Sequence, residues 1–348
     1  MEGSGEAIPL EGSGAVVCGC CLRPFFSHFL CKDTNNFSLF IFTFHFFSYL
    51  CPTMEPIISF IITYHNEPED YLISCLESIQ ALPLSPEEAE IIVVDDGSEV
   101  PPTYAGKRGF RFIRQEQAGL SVARNTGIKH SRGEYLQFVD ADDYIFPSAY
   151  EAVLEQIRSE RPDVVMFKAS DRPSPKEPEK SRQGKAAIHW KGRGSKFLQR
   201  RNLRAASWGY AFRREALGDL RFSPGLLHED ELFTPQLFLR AESLVELDVK
   251  AYFYRQHEGT ITSSKSVLQI HRRLDDIHFI LRELRSLDEP LLKRRIRQLT
   301  VDYLQKIWSL TRSLRELRRR KSELKQEGFL PLPLRAYSFR YFLASLMY

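Results

Sequence analysis

Three uninterrupted apolar runs in this chain each stop at a polar or acidic cluster, and that pattern limits the fold more than any other feature. Residues 57–63 (IISFIIT) end at Tyr64-His65-Asn66-Glu67, 90–95 (EIIVVD) end in Asp95-Asp96, and 135–139 (YLQFV) run into Asp140-Ala141-Asp142-Asp143. A β-branched run with no polar alternation suits a strand buried on both faces, which needs helices on both sides of its sheet. Two further strands are expected at 110–114 and 163–168, and helices at 69–80, 119–129 and 147–159, the last opened by Pro147. Strand and helix alternating in this way predict an α/β fold with a mainly parallel central sheet flanked by helices.

The second half is less regular. Short helices are expected at 195–201 and 213–220, a longer one at 228–240, and a strand at 245–254. Residues 171–194, rich in Pro, Lys, Ser and Gly, read as a long surface loop. From 267 to 325 the pattern is helical, with a break near Asp288-Glu289-Pro290, and the last 20 residues read as a docking tail. The 348 residues therefore divide into an expected catalytic domain at 54–264 and a basic, helical C-terminal region at 265–348. Within the first, a nucleotide half is expected at about 54–145 and an acceptor half at about 146–264.

Residues 1–53 do not match the rest. They hold five of the six cysteines, and their Phe-rich stretch is shorter than the ~20 residues of a spanning helix. Cys18, Cys20 and Cys21 have no second CxxC and no His pair at zinc spacing. The expectation is an unstructured upstream extension, with translation starting at Met54. The single cysteine beyond it, Cys75, suits a reducing, cytoplasmic compartment.

Net charge is only +3, but 265–348 carry 19 Lys and Arg against 9 Asp and Glu, a net of +10 that leaves −7 for the remainder. The run 314–325 (LRELRRRKSELK) has Leu314, Leu317 and Leu324 on one stripe flanked by arginines, and Leu310 extends it. Two readings follow: a basic face resting peripherally on the inner face of an anionic membrane, or a helix packed on the catalytic domain with its cations in water.

Ligands of a parallel open sheet bind at the carboxyl ends of its strands, where the acidic clusters fall. Acids sharing one rim repel each other unless they hold a cation or accept hydrogen bonds. The Asp140–Asp143 cluster is a hard-oxygen set suited to Mg²⁺ or Mn²⁺, ions that keep waters and bridge phosphate oxygens. No GxGxxG follows the first strand and no GxxxxGK[ST] occurs, which argues against a dinucleotide domain and a P-loop NTPase. Taken singly, Asp96-Gly97-Ser98 is a turn, Asp142 or Asp143 a helix cap, and Glu229-Asp230 first-turn acids.

The ordered segments IISFIITYHNE, EIIVVDDGS, QAGLSVARNTGI, GEYLQFVDADDY, LLHEDELF and YFYRQHEGTITSS resemble glycosyltransferase family 2 and its GT-A, Rossmann-like fold, over about 57–264. The resemblance implies inverting transfer from a nucleotide-sugar, usually a UDP-sugar, to a hydroxyl of a saccharide or lipid-linked acceptor in polysaccharide or glycoconjugate assembly. It implies that Thr63, Tyr64, Asn66 and Glu67 line the nucleotide pocket, that Asp96 contacts uracil or ribose with Asp95 in support, and that Arg124 and Asn125 face the nucleotide-sugar. It implies a DxD-type site at Asp140, Asp142 and Asp143, with Asp142 and Asp143 carrying the ribose contact and the metal. Asp230 would be the catalytic base, with Glu229 the other candidate. Tyr254, Arg255 and His257 would lie on a loop closing over the diphosphate, His257 as a possible metal donor, and Trp208 would wall the acceptor pocket.

A carboxylate within reach of the acceptor hydroxyl takes its proton, while a cation and Arg255 stabilise the departing diphosphate. Two other classes remain as alternatives, a GT-A-like nucleotidyltransferase and a non-catalytic binding protein. The first usually has a Gly-rich loop where this chain has YHNE, and the second would need the aromatic and basic motifs of nucleic-acid modules, so no nucleic-acid partner is expected. No QxxRW motif marks a processive synthase.

Overall fold

The computed structural model describes residues 55–104, 109–171, 186–256 and 266–348, all within one compact unit, Met54–Tyr348. Expectations for the upstream extension, for most of the 171–194 loop and for His257 fall outside the described residues.

The first five expected strands form, within a residue or two, as β1 (Ile58–Tyr64), β2 (Ala89–Asp96), β3 (Arg111–Gln115), β4 (Tyr135–Asp140) and β6 (Val164–Ser170). Between them lie α1 (Glu69–Gln80), α2 (Leu120–His130), the two-residue strand β5 (Tyr144–Ile145) and α3 (Pro147–Ser159). The chain continues as β7 (Ile188–Gly192), α4 (Gly194–Arg200), a 3₁₀ turn (Ser207–Gly209), β8 (Tyr210–Arg213), α5 (Arg214–Leu217), α6 (Asp230–Arg240) and β9 (Leu244–Phe253). Helices α7 (Val267–Ser286), α8 (Lys293–Thr311), α9 (Leu314–Gln326) and α10 (Phe339–Met347) complete it.

The nine strands make one sheet in the order β3-β2-β1-β4-β8-β6-β9-β5, with β7 also on β9. β1 pairs in parallel with β2 and β4, β2 with β3, and β6 with β9; β8, β5 and β7 run the other way. The mainly parallel α/β sheet flanked by helices is therefore present. Alternation along β1 divides two cores. Ile58, Phe60 and Ile62 face α1 and α3, and Ile61 faces the cluster that holds Phe233 and Phe238 of α6. That second cluster runs on through Leu274, Leu281 and Leu304, so α7 and α8 are layers on the sheet domain.

Several expectations are corrected. β8, not anticipated, lies inside the sheet between β4 and β6; four residues are too few to show a period, and only their partners make them a strand. The helix expected at 213–220 is a single turn, Arg214–Leu217, ended by Gly218 at φ 53°. The loop expected through 194 gives way to β7, an edge strand on β9. The helical region breaks a second time, at Arg312 with φ 50°. Of the stripe, Leu324 is buried and Leu310 and Leu317 pack on the core while Leu314 stays exposed, which favours the reading of a helix packed on the catalytic domain. Among the described residues no helix is long and apolar enough to cross a membrane.

Gly127 lies where α2 crosses β1, and a Cβ there would meet Ile61 Cγ2 at 2.2 Å. Ile61 is fully buried, so it has nowhere to move. Gly127→Ala gains about 1 kcal/mol of helix propensity but overpacks this contact. A net loss of about 1–3 kcal/mol is expected in urea unfolding; a gain would show that α2 can lift from the sheet.

Candidate active site

The register places the polar clusters side by side. Thr63 pairs with Asp140, Tyr64 with Asp95 and Asp96 with Gln115, so the carboxyl ends of β1, β2 and β4 share one rim. Because β8 is antiparallel to β4, its leading end brings Trp208 to that rim. β9 ends there beside β5, with Phe253 opposite Tyr144.

Arg124 of α2 is 3% exposed and lies among the rim acids. One guanidinium nitrogen donates to Glu229 Oε1 and the other to Asp140 Oδ1 at 3.0 Å. The rings of Phe138 and Phe222 lie 5.7 and 5.4 Å from its charged carbon. Arg124 is thus an internal bridge between β4 and the start of α6. Asn125, expected to face the nucleotide-sugar, instead exchanges two hydrogen bonds with the backbone of Phe222, at 2.8 and 2.9 Å. Its amide holds the segment that leads to Glu229.

The two candidate bases differ in their surroundings. Glu229 is buried, caps α6 and is held by Arg124. Asp230, half-buried on the first turn, has its pKa pushed up to about 8 by burial and by the neighbouring Glu229. Behind it, the buried Arg295 of α8 pairs with Glu231 and donates to the carbonyl of Leu203 at 3.0 Å. Leu227 N–H donates to Asp276 of α7 at 2.9 Å. Sequence reading missed this support, because a lone arginine in a basic helix reads as a surface charge.

Asp143, expected as a metal ligand, is turned into the protein. It is 1% exposed; Tyr252 O–H donates to Oδ2 at 2.8 Å and Arg255 N–H to Oδ1 at 2.7 Å. Burial and then the charges of Asp140 and Asp142 push its pKa up to about 9. Tyr252, which sequence reading did not single out, also accepts from Asp140 N–H at 3.1 Å. The alternation of Tyr252 and Tyr254 around Phe253 was the available signal. Arg255 stacks over Tyr71 at 4.2 Å and donates from Nε to the carbonyl of Asp142 at 2.7 Å. Trp208 is 8% exposed and stacks face to face on Tyr252 at 4.6 Å and against Tyr254 at 5.7 Å. Its ring is part of the rim's support.

On the other side, Tyr64 O–H donates to the carbonyl of Glu67 at 2.7 Å, and Asn66 adopts φ 63° with its side-chain oxygen accepting from Glu99 N–H at 2.8 Å. Tyr64, Asn66, Glu67 and Glu99 line a cleft of about 460 Å³. Thr63 is buried at the end of β1. Asp95 is fully buried, accepts from Ser98 N–H at 2.9 Å and lies 3.4 Å from Arg114. Asp96 accepts from Gln115, Ala118 N–H and Gly119 N–H, which fixes the start of α2. A larger cavity, about 650 Å³, opens beside the C-terminal half of α2; Lys129, Arg214 and Arg221 line it without a carboxylate, so it lacks the acids the rim supplies.

Among the described residues, no three His, Cys, Asp or Glu side chains gather closely enough to hold a metal ion. The donor chemistry still fits a weakly held divalent cation. Burial raises the pKa values of Glu67 and Asp140; Asp142 raises both further, and Asp140 adds to the shift of Glu67, a mutual repulsion that a cation relieves. Asp142 and Asp140, both only partly buried, are the carboxylates on the open side.

A mainly parallel sheet with acids across its carboxyl edge places the ligand crevice of this α/β protein at that rim. Residues 59–221 match the family described as "Glycosyl transferase family 2". An uncharacterized glycosyltransferase EpsJ of Bacillus subtilis (strain 168) is 31% identical over 60% of this chain and 64% of its own length. Glycosyltransferase GlyA of Streptococcus pneumoniae serotype 4 is 27% identical over 68% of this chain and 36% of its own. The chain spans less than two thirds of either relative. The crystal structure of S. aureus TarS 1–349 in complex with UDP-GlcNAc superposes with a TM-score of 0.55, at 23% identity over 72% of each chain, and shares the fold. Over residues 59–221 the chain is thus similar to glycosyltransferase family 2.

Arg124→Met would leave Glu229 buried without a partner, at an expected cost of about 3–5 kcal/mol in chemical unfolding. Adding Glu229→Gln should recover part of that loss, whereas simple additivity would show the pair to be uncoupled. Asp143 binds its proton more tightly folded than unfolded. In the absence of divalent ions its contribution is complete below about pH 4 and is lost as pH rises towards about 9. Thermal stability should therefore fall between pH 6 and 8.5, and Asp143→Asn should flatten that slope.

Proposed function

We propose that this chain transfers a sugar, with inversion, from a nucleotide-sugar of the UDP class to a hydroxyl of a saccharide or lipid-linked acceptor. The observation that carries the reading is the contrast between two adjacent acids: Arg124 holds Glu229, while Asp230 stands half-buried beside it with a raised pKa. A base poised near the working pH combines a usable deprotonated fraction with proton affinity, so Asp230 takes the acceptor proton. Its place at the head of α6, fixed by Glu229, Glu231 and Asn125, keeps it aimed at the rim.

Tyr64, Asn66 and Glu67 take the nucleoside end in their cleft, with Thr63, Asp95 and Asp96 shaping its floor. Asp140 and Asp142 would hold a divalent cation, Mn²⁺ or Mg²⁺, which would supply charge stabilisation for the leaving nucleoside diphosphate. Arg255 turns from Tyr71 towards that diphosphate, on the strand end that leads to His257 and its proposed role as a further donor. Tyr254 lies with Arg255 on the diphosphate side, and Trp208 backs the acceptor side. Support for the donor class comes from the match of residues 59–221 to glycosyltransferase family 2 and from the likeness to TarS, which crystallised in complex with UDP-GlcNAc. TarS is named a poly(ribitol-phosphate) beta-N-acetylglucosaminyltransferase, which supports a hydroxyl of a glycopolymer as the acceptor class.

The test is a panel of UDP-, GDP- and CMP-sugars with and without Mn²⁺, read by calorimetry and nucleotide release. Asp230→Asn should keep donor binding and lose about 10²–10⁴-fold in turnover. Wild-type turnover should rise with pH towards about 8 as Asp230 loses its proton. Unchanged turnover in Asp230→Asn would remove it as the base, and no nucleotide binding by the folded chain would remove the transferase reading.

A further inference from the structure

Helix α10 turns one face into the protein and the other into solvent. Tyr341 and Ala344 are buried against the core. Opposite them, Phe339, Leu343, Leu346 and Met347 are 78, 44, 63 and 69% exposed, and Leu334 just ahead is 60% exposed. The spacing of the four, i, i+4, i+7 and i+8, puts them on one continuous stripe. Single exposed apolar side chains are ordinary, whereas four large ones in a row on one helix face mark an interaction surface.

The orientation of this stripe is fixed. Arg340 pairs with Asp302 of α8 at 2.8 Å, and Arg297 donates to Tyr337 O–H at 2.7 Å, just before the helix. At its far end, the Lys321 ammonium of α9 lies 4.7 Å from the centre of the Tyr348 ring. The helix is held along its length with the apolar face outward.

We propose that α10 docks on the surface of an anionic lipid bilayer, with Phe339, Leu343, Leu346 and Met347 entering the headgroup region. Charge selects this occupant. Residues 328–348 contain Arg335 and Arg340 and no Asp or Glu, and Arg315 and Arg318 of α9 are exposed nearby in the chain, within a region of net +10. An apolar face on a segment that carries cations and no carboxylate side chain suits an anionic surface. At nine residues the helix is too short to span, so it lies in the interface. A second copy of the chain fits less well, because the stripe of one short helix offers less than the about 800 Å² per partner that a stable interface buries. The docking face is a different surface from the acidic rim, and it replaces 314–325 as the membrane contact.

The test is co-sedimentation of the full chain with vesicles of phosphatidylglycerol and phosphatidylcholine, and with phosphatidylcholine alone. Binding to the anionic vesicles is expected, with a partition coefficient at least about tenfold lower for Leu343→Glu/Leu346→Glu and clearly lower for Phe339→Glu. All three sites are exposed, so urea unfolding midpoints should stay close to wild type, and Phe339→Glu gives an independent reading if the double variant fails to fold. Three results overturn the proposal: no binding of wild type to anionic vesicles, equal binding by folded variants, or a dimer lost in the variants without any vesicle binding. None of these depends on sugar transfer, so failure here and failure of the transferase reading are separable.

Discussion

A buried guanidinium among acids organises this molecule. Arg124 leaves water only because Glu229 and Asp140 meet it, and they are tolerated at the rim because it neutralises part of their charge. A buried ion pair is weak evidence for stability but strongly constrains geometry, since removing one partner strands the other. The three groups come from α2, from the start of α6 and from the end of β4. Satisfying Arg124 therefore fixes where the second half of the chain sits on the sheet, and the aromatic rings of Phe138 and Phe222 close around it.

The remaining acids can then be sorted by partner. Asp143 is enclosed by Tyr252 and the Arg255 backbone and holds the end of β9 to the turn after β4. Asp96 fixes the start of α2 and Asp95 the turn after β2. Asp142, Glu67 and Asp230 lie towards the open side beside Asp140, which Arg124 also holds, and the pKa values of Asp140, Glu67 and Asp230 are raised. The match to glycosyltransferase family 2 over residues 59–221 and this sorting together support a site built to meet an opposite charge. The C-terminal helices belong to the same construction. Arg295 and Asp276 hold the loop and first turn that carry Asp230, although both lie beyond the residues that match the family.

Much of this was legible in the chain. Continuous apolar runs gave β1, β2 and β4 with their acids at the ends, and Pro68 and Pro147 marked where α1 and α3 begin. What stayed hidden has a common cause. β8 is four residues long and is a strand only because β4 and β6 flank it. Asn125 looked like a ligand contact, but its partner is a backbone 97 residues away. The leucines of 314–325 left two readings open, a membrane face and a packed helix, and only the tertiary contacts of Leu317 and Leu324 favour the second.

Local periodicity and motifs standing in one order along the chain were enough for the parallel strands β1, β2 and β4, for the acids at their ends and for the resemblance to glycosyltransferase family 2. Tertiary structure alone decided which acid is held and which is presented. Glu229 and Asp230 are neighbours with nearly the same chemistry, and no local rule separates them. The difference comes from Arg124, more than a hundred residues earlier, which the fold brings to one of them. Charge in a low-dielectric interior is governed by such long-range partners, so the role of a carboxylate is a property of the folded site.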